Sequence, residues 1–98
     1  MTTLEKVVLE SEWGVYDMGE GDYWLDTSEE NARKNYSQFI GCSLEEVRDV
    51  RGMTEEHLRS HTYSGGEGVS WTFLEQLKKI MIEEEFNYQP QFFAARYE

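Results

Sequence analysis

Val7-Val8-Leu9-Glu10-Ser11-Glu12-Trp13-Gly14-Val15-Tyr16-Asp17-Met18-Gly19-Glu20-Gly21-Asp22-Tyr23-Trp24-Leu25 is the stretch on which the fold turns. Its residues are β-branched and aromatic, and Leu9, Ser11, Trp13 and Val15 alternate with Val8, Glu10, Glu12 and Gly14. A period of two marks a strand whose two faces differ. Gly19-Glu20-Gly21-Asp22 supplies turn residues, so the segment predicts a strand, a glycine turn and a second strand paired as a hairpin. On the first strand Glu10 and Glu12 would share a face, about 6.6–6.8 Å apart at the usual rise per residue.

Downstream the period changes. Thr27-Ser28-Glu29-Glu30 has the form of a capping box, with Thr27 as N-cap, and opens a helix over about Ser28 to Ile40. Ala32, Tyr36, Phe39 and Ile40 form its apolar stripe, and Gly41 stands where a helix-ending glycine belongs. Ser43-Leu44-Glu45-Glu46 repeats the capping form and predicts a short helix carrying Leu44, Val47 and Val50, closed by Gly52. Thr54 caps a third short piece, Glu55 to about His61, and Tyr63-Ser64-Gly65-Gly66-Glu67-Gly68 reads as a glycine-rich loop. Ser70 then caps the longest helix, Trp71 to about Glu85, with Phe73, Leu74, Leu77, Ile80 and Met81 facing inward. After Pro90, Gln91 to Tyr97 is a short aromatic strand. The expectation is an α+β fold, a small antiparallel sheet made of the N-terminal hairpin and the C-terminal strand against three to four helices, in a single compact domain over residues 1–98.

Length and composition bound the function. Ninety-eight residues suffice for one core of ordinary size and exclude a two-domain enzyme. The 39% hydrophobic and 14% aromatic content is too high for a disordered acidic tail. No window approaches 18 apolar residues and the first residues lack a signal pattern, so a soluble, cytoplasmic protein is expected. Cys42 is the single cysteine, which excludes an intramolecular disulfide and a multi-cysteine zinc site.

Charge is the outstanding feature. Nine Lys and Arg stand against 20 Asp and Glu, net −11. Residues 1–30 hold nine acids and one base (−8), residues 31–82 sum to zero, and residues 83–98 hold four acids and one base (−3). Such a chain repels nucleic acid and anionic membrane and attracts a basic surface of the kind that grips a phosphate backbone. The magnitude exceeds the roughly 2–8 that keeps a small domain soluble. Glu83-Glu84-Glu85 also opposes the dipole of the helix it ends.

Other constellations carry less chemistry. His57 and His61 stand at i and i+4, but Leu58 occupies the place of the glutamate in a zincin motif, so they read as two histidines beside a loop. Cys42 reads as a small hydrophobe in a tight joint between helices. Gly65-Gly66-Glu67-Gly68 lacks the Gly-Lys-Ser/Thr of a phosphate loop, and Asp17 to Asp22 puts glycines where a calcium loop needs side-chain oxygens. No enzyme, metal or cofactor is expected.

In length, charge, α+β pattern and acids gathered in Glu5–Glu30 and Glu83–Glu85, the chain resembles the small acidic inhibitors of phages and mobile elements, in particular DNA-mimicking anti-CRISPR proteins. These share no signature motif, so the resemblance assigns no role to any single residue. It implies binding to a CRISPR surveillance complex, with carboxylates taking the Lys and Arg positions that otherwise hold DNA. The residues expected to carry binding to a basic nucleic-acid-binding protein are Glu10, Glu12, Asp17, Glu20, Asp22 and Asp26, with Glu83, Glu84 and Glu85 as a second contact and Trp24 as an aromatic anchor. No direct nucleic-acid or membrane binding is expected. An immunity or antitoxin protein that caps a basic toxin or nuclease uses the same electrostatics and is the alternative; sequence does not separate the two.

Overall fold

A computed structural model of the chain describes residues 3–19 and 21–95. The fold is α+β. The chain divides into two compact units: Met1–Ser11 with Met53–Tyr88, and Glu12–Gly52 with Gln89–Glu98.

The second unit holds the expected sheet. Strands β1 (Gly14–Asp17) and β2 (Asp22–Asp26) form the antiparallel hairpin, with Tyr16 opposite Trp24. The C-terminal strand β6 (Gln91–Ala95) adds to β2, and the two-residue β3 (Arg51–Gly52) adds to β1, giving the order β3-β1-β2-β6. Helix α2 (Glu29–Ile40) belongs to this unit. Its N-cap is Ser28, one residue later than expected: Ser28 Oγ accepts from Asn31 N at 3.0 Å, while Thr27 Oγ1 accepts from the Asn31 side chain. Gly41 ends the helix as expected, at φ 76°, and its N–H and that of Cys42 both donate to the Ser37 carbonyl. Met18, Trp24, Ala32, Tyr36 and Val47 make the core, with Tyr16, Cys42 and Val50 packed against it. The indole of Trp24 meets the Tyr36 ring edge-on at 5.7 Å. The helix expected after Ser43 shrinks to one 3-10 turn, Leu44–Glu46. Its capping box is intact, but Gly52, expected to close a helix, pairs instead in β3, where the Tyr16 ring lies 3.3 Å from the position its Cβ would take.

The first unit departs most from the sequence reading. Thr3–Glu10 is a helix, α1, so the strand expected from Val8 to Val15 begins only at Gly14. Along α1 the least exposed side chains are Glu5, Val8 and Leu9, spaced i, i+3, i+4, which is a helical stripe. Glu5 anchors it, reaching Arg59 at 3.2 Å and Lys78 at 3.9 Å. The β-preference of Val7 and Val8 is overridden by this docking.

Helix α3 (Glu55–Ser60) forms as expected behind Thr54, whose hydroxyl accepts from His57 N. Residues 63–68, expected as a loop, are most of a second hairpin, β4 (Thr62–Gly66) with β5 (Val69–Thr72). Its glycines have separate uses. Gly66, Glu67 and Gly68 take positive φ at the turn (89°, 53° and 80°), and a Cβ on Gly65 would stand 2.3 Å from the Trp71 ring. Because β5 runs to Thr72, the following helix α4 starts at Phe73 and takes Thr72 as its N-cap, not Ser70. Phe73, Leu74, Leu77 and Ile80 are buried as expected. Helix α4 (Phe73–Lys78) continues into a π-helical turn, Lys79–Glu83.

Candidate functional site

The acids fall into three places. In the first unit α1 packs against α4: Glu5 meets Lys78, and the Ser11 hydroxyl just after α1 lies 4.0 Å from Met81 Sδ in the π-turn. Glu10 closes α1, and Glu83, Glu84 and Glu85 end or follow the π-turn, all exposed, and neither last turn carries a base. At each of these helix ends the acids add to the negative end of the dipole. Lys79 reaches Glu83 at 3.8 Å while its ammonium also lies over the Trp71 ring, 5.1 Å from its centre. Glu84 and Glu85 stand beyond the last helical turn, and Glu85 takes φ 49°, a conformation that releases the chain from the helix.

In the second unit the hairpin separates the remaining acids. Asp17 and Asp22 flank the glycine turn, and Glu12 and Asp26 lie at the opposite end, about 13 Å away for a four-residue strand. Glu10 and Glu12 are not neighbours on a strand face as expected, because Glu10 ends a helix and Glu12 precedes β1. Glu20 lies outside the described residues. Asp17 turns one carboxylate oxygen to the Gly19 N–H at 2.9 Å. The Asp22 carboxylate accepts from the Tyr36 hydroxyl.

Asp26 and Trp24 are interior. Asp26 is 1% exposed, and its carboxylate accepts from the Trp24 indole N–H (3.0 Å), the Asn35 side-chain amide (2.9 Å) and the Thr27 backbone N–H (2.8 Å). A buried carboxylate with three donors ties β2 to the start and middle of α2. Trp24 is 3% exposed. In this fold the pair is the polar centre of the unit, and the exposed aromatic surface is elsewhere: Phe39, 62% exposed, stacks on Phe92 at 6.1 Å. Sequence reasoning placed Phe39 in the stripe of α2; helical spacing alone does not say how wide the covered face is.

No known family model matches the chain, and no curated protein or solved structure matches it.

Ion pairing is uneven. Of the 18 described acids, Glu5, Glu55, Glu75 and Glu83 reach a Lys or Arg nitrogen, all in the first unit. Among the described residues of the second unit no acid does so, and two of its arginines turn to carbonyls, Arg33 to that of Val47 and Arg48 to that of Glu45. His57 and His61 lie with ring centres 6.2 Å apart, but His61 Nδ1 meets the His57 carbonyl and His57 Nδ1 faces the Thr54 N–H. Among the described residues no group of three His, Cys, Asp or Glu is placed to hold a metal, and no helix is long and apolar enough to cross a membrane.

Proposed function

We propose that the protein is a non-enzymatic inhibitor that occupies the cationic nucleic-acid-binding groove of a basic protein or ribonucleoprotein, a CRISPR surveillance complex in a bacterial cytoplasm foremost. The observation that carries this reading is that, among the described residues, most exposed carboxylates reach no Lys or Arg, Glu10, Glu84 and Glu85 in one unit and Glu12 in the other among them, with the half-buried Asp17 beside the hairpin turn. Carboxylates held this way are repelled by one another and are free to meet Lys and Arg that otherwise grip phosphates, arginine taking a carboxylate with two parallel N–H donors as it takes a phosphate. Trp24 and Asp26 serve the scaffold that presents them.

The test is competition for the target, found by retention of a tagged copy on a bacterial ribonucleoprotein and eluted with salt. The protein should displace DNA from it, less well as salt rises, and bind no DNA itself. Neutralising Glu10, Glu83, Glu84 and Glu85 to Gln, or Glu12 to Gln with Asp17 to Asn, should each weaken displacement. Full displacement by the protein with both sets neutralised removes the reading. Retention on a single small basic toxin, with no effect on DNA binding by a surveillance complex, replaces it with the immunity reading.

A further inference from the structure

One opening in the second unit combines a cavity with two carboxylates. A cleft of about 460 Å³ lies where the β1–β2 turn, the C-terminal end of α2 and the 3-10 turn meet. Its size is within the roughly 300–1,000 Å³ of small-ligand sites. Met18, Tyr36, Ile40 and Val47 give it apolar walls, and Asp22 and Glu46 bring carboxylates to it. Both acids are already oriented: the Tyr36 hydroxyl donates to Asp22, and Glu46 accepts from the Ser43 N–H at 3.0 Å. Each of these contacts uses one carboxylate oxygen. Among the described residues neither acid has a Lys or Arg partner.

We infer that this cleft takes the side chain of an arginine presented by the basic partner. The inference rests on the reading of the protein as a binder of a basic surface and names the anchor of that contact. Apolar walls suit the three-carbon stem, and two held carboxylates suit a charged head with several donors. Arginine fits better than lysine, because a planar guanidinium is weakly hydrated and stacks on flat or apolar walls, whereas an ammonium keeps its water.

Titration of the isotope-labelled protein with ethylguanidinium chloride, followed by amide NMR at constant ionic strength, tests it. Saturable shifts are expected at Asp22, Tyr36, Cys42 and Val47, with affinity on the order of millimolar for so small an arm. Propylammonium should bind more weakly and neutral N-ethylurea not measurably. Glu46→Gln keeps an oxygen for the Ser43 N–H while removing the charge, and should weaken ethylguanidinium by about fivefold; Asp22→Asn should do likewise. Slower alkylation of Cys42, which lines the cleft, gives a second readout in the unmodified protein.

Equal binding of ethylurea, tighter binding of propylammonium, or unchanged affinity in both variants overturns the proposal. The outcomes separate from those of the competition assay. Binding of ethylguanidinium by a protein that displaces no DNA upholds the cleft and removes the inhibitor reading. Full displacement by both variants removes the arginine anchor and leaves that reading in place.

Discussion

At the scale of single residues, Asp26 shows why a carboxylate cannot be assigned to the surface by its charge. It sits in an acid-rich segment, yet it is the acceptor for Trp24, Asn35 and Thr27. Asp26→Ala leaves those three donors without an acceptor, and should cost about 2–4 kcal/mol of unfolding free energy in urea denaturation, against less than about 0.5 kcal/mol for exposed Glu30→Gln. Tyr16 is the neighbouring case. Partial burial, and then the charges of Asp26 and Glu29, hold its phenol above the ordinary value of 10.0. The folded state thus favours the neutral phenol, so this contribution to stability is whole below about pH 10 and is lost as pH rises through the raised value. Absorbance of the phenolate near 295 nm should lose a late-titrating component in Tyr16→Phe, and alkaline unfolding of that variant should be less steep.

At the scale of elements, α2 and α3 form where capping residues place them, α2 with its cap one residue later than expected and part of its stripe exposed, and expectation fails where docking outweighs local preference. Val7 and Val8 favour a strand, but Glu5, Val8 and Leu9 fall on one face of a helix, and Glu5 meets Arg59 and Lys78 from distant parts of the chain. No local pattern announces those partners. The second hairpin differs from the expected loop for another reason: Thr62, Ser64 and Ser70 are exposed, so its strands lack the apolar alternation that identifies a half-buried sheet. That hairpin moves the start of the last long helix from Trp71 to Phe73 and its cap from Ser70 to Thr72, which accepts from Glu75 N at 3.1 Å. Thr72→Ala should therefore lower stability by about 1 kcal/mol, and Ser70→Ala by no more than a few tenths, in parallel thermal melts.

At the scale of the whole molecule, the distribution of charge changes meaning. Along the chain the acids crowd the ends, −8, 0 and −3. In the fold, the unit of Met1–Ser11 and Met53–Tyr88 has nine acids and four bases, and the unit of Glu12–Gly52 and Gln89–Glu98 has eleven and five, so each carries nearly half of the excess. The first 30 residues are divided between the two, because α1 belongs with a segment that begins over 40 positions later. Self-repulsion at −11 with few ion pairs predicts that added salt stabilises the protein: raising sodium chloride from about 10 to 200 mM, which shortens the screening length from roughly 30 to under 10 Å, should raise the melting temperature by several degrees in calorimetry. An unchanged or lower melting temperature would mean that the carboxylates are already compensated. The sequence by itself determined the α+β class, the hairpin of β1 and β2, the C-terminal strand, the places of α2 and α3 and the acidic excess, because these follow from period, turn residues and composition over short windows. Only the tertiary structure decided that Asp26 and Trp24 face inward, that Thr3–Glu10 is a helix and not the start of the first strand, and that Asp22 and Glu46 share a cleft. Those facts depend on which distant segments pack together, and packing is set by burial and pairing between residues that no local window contains.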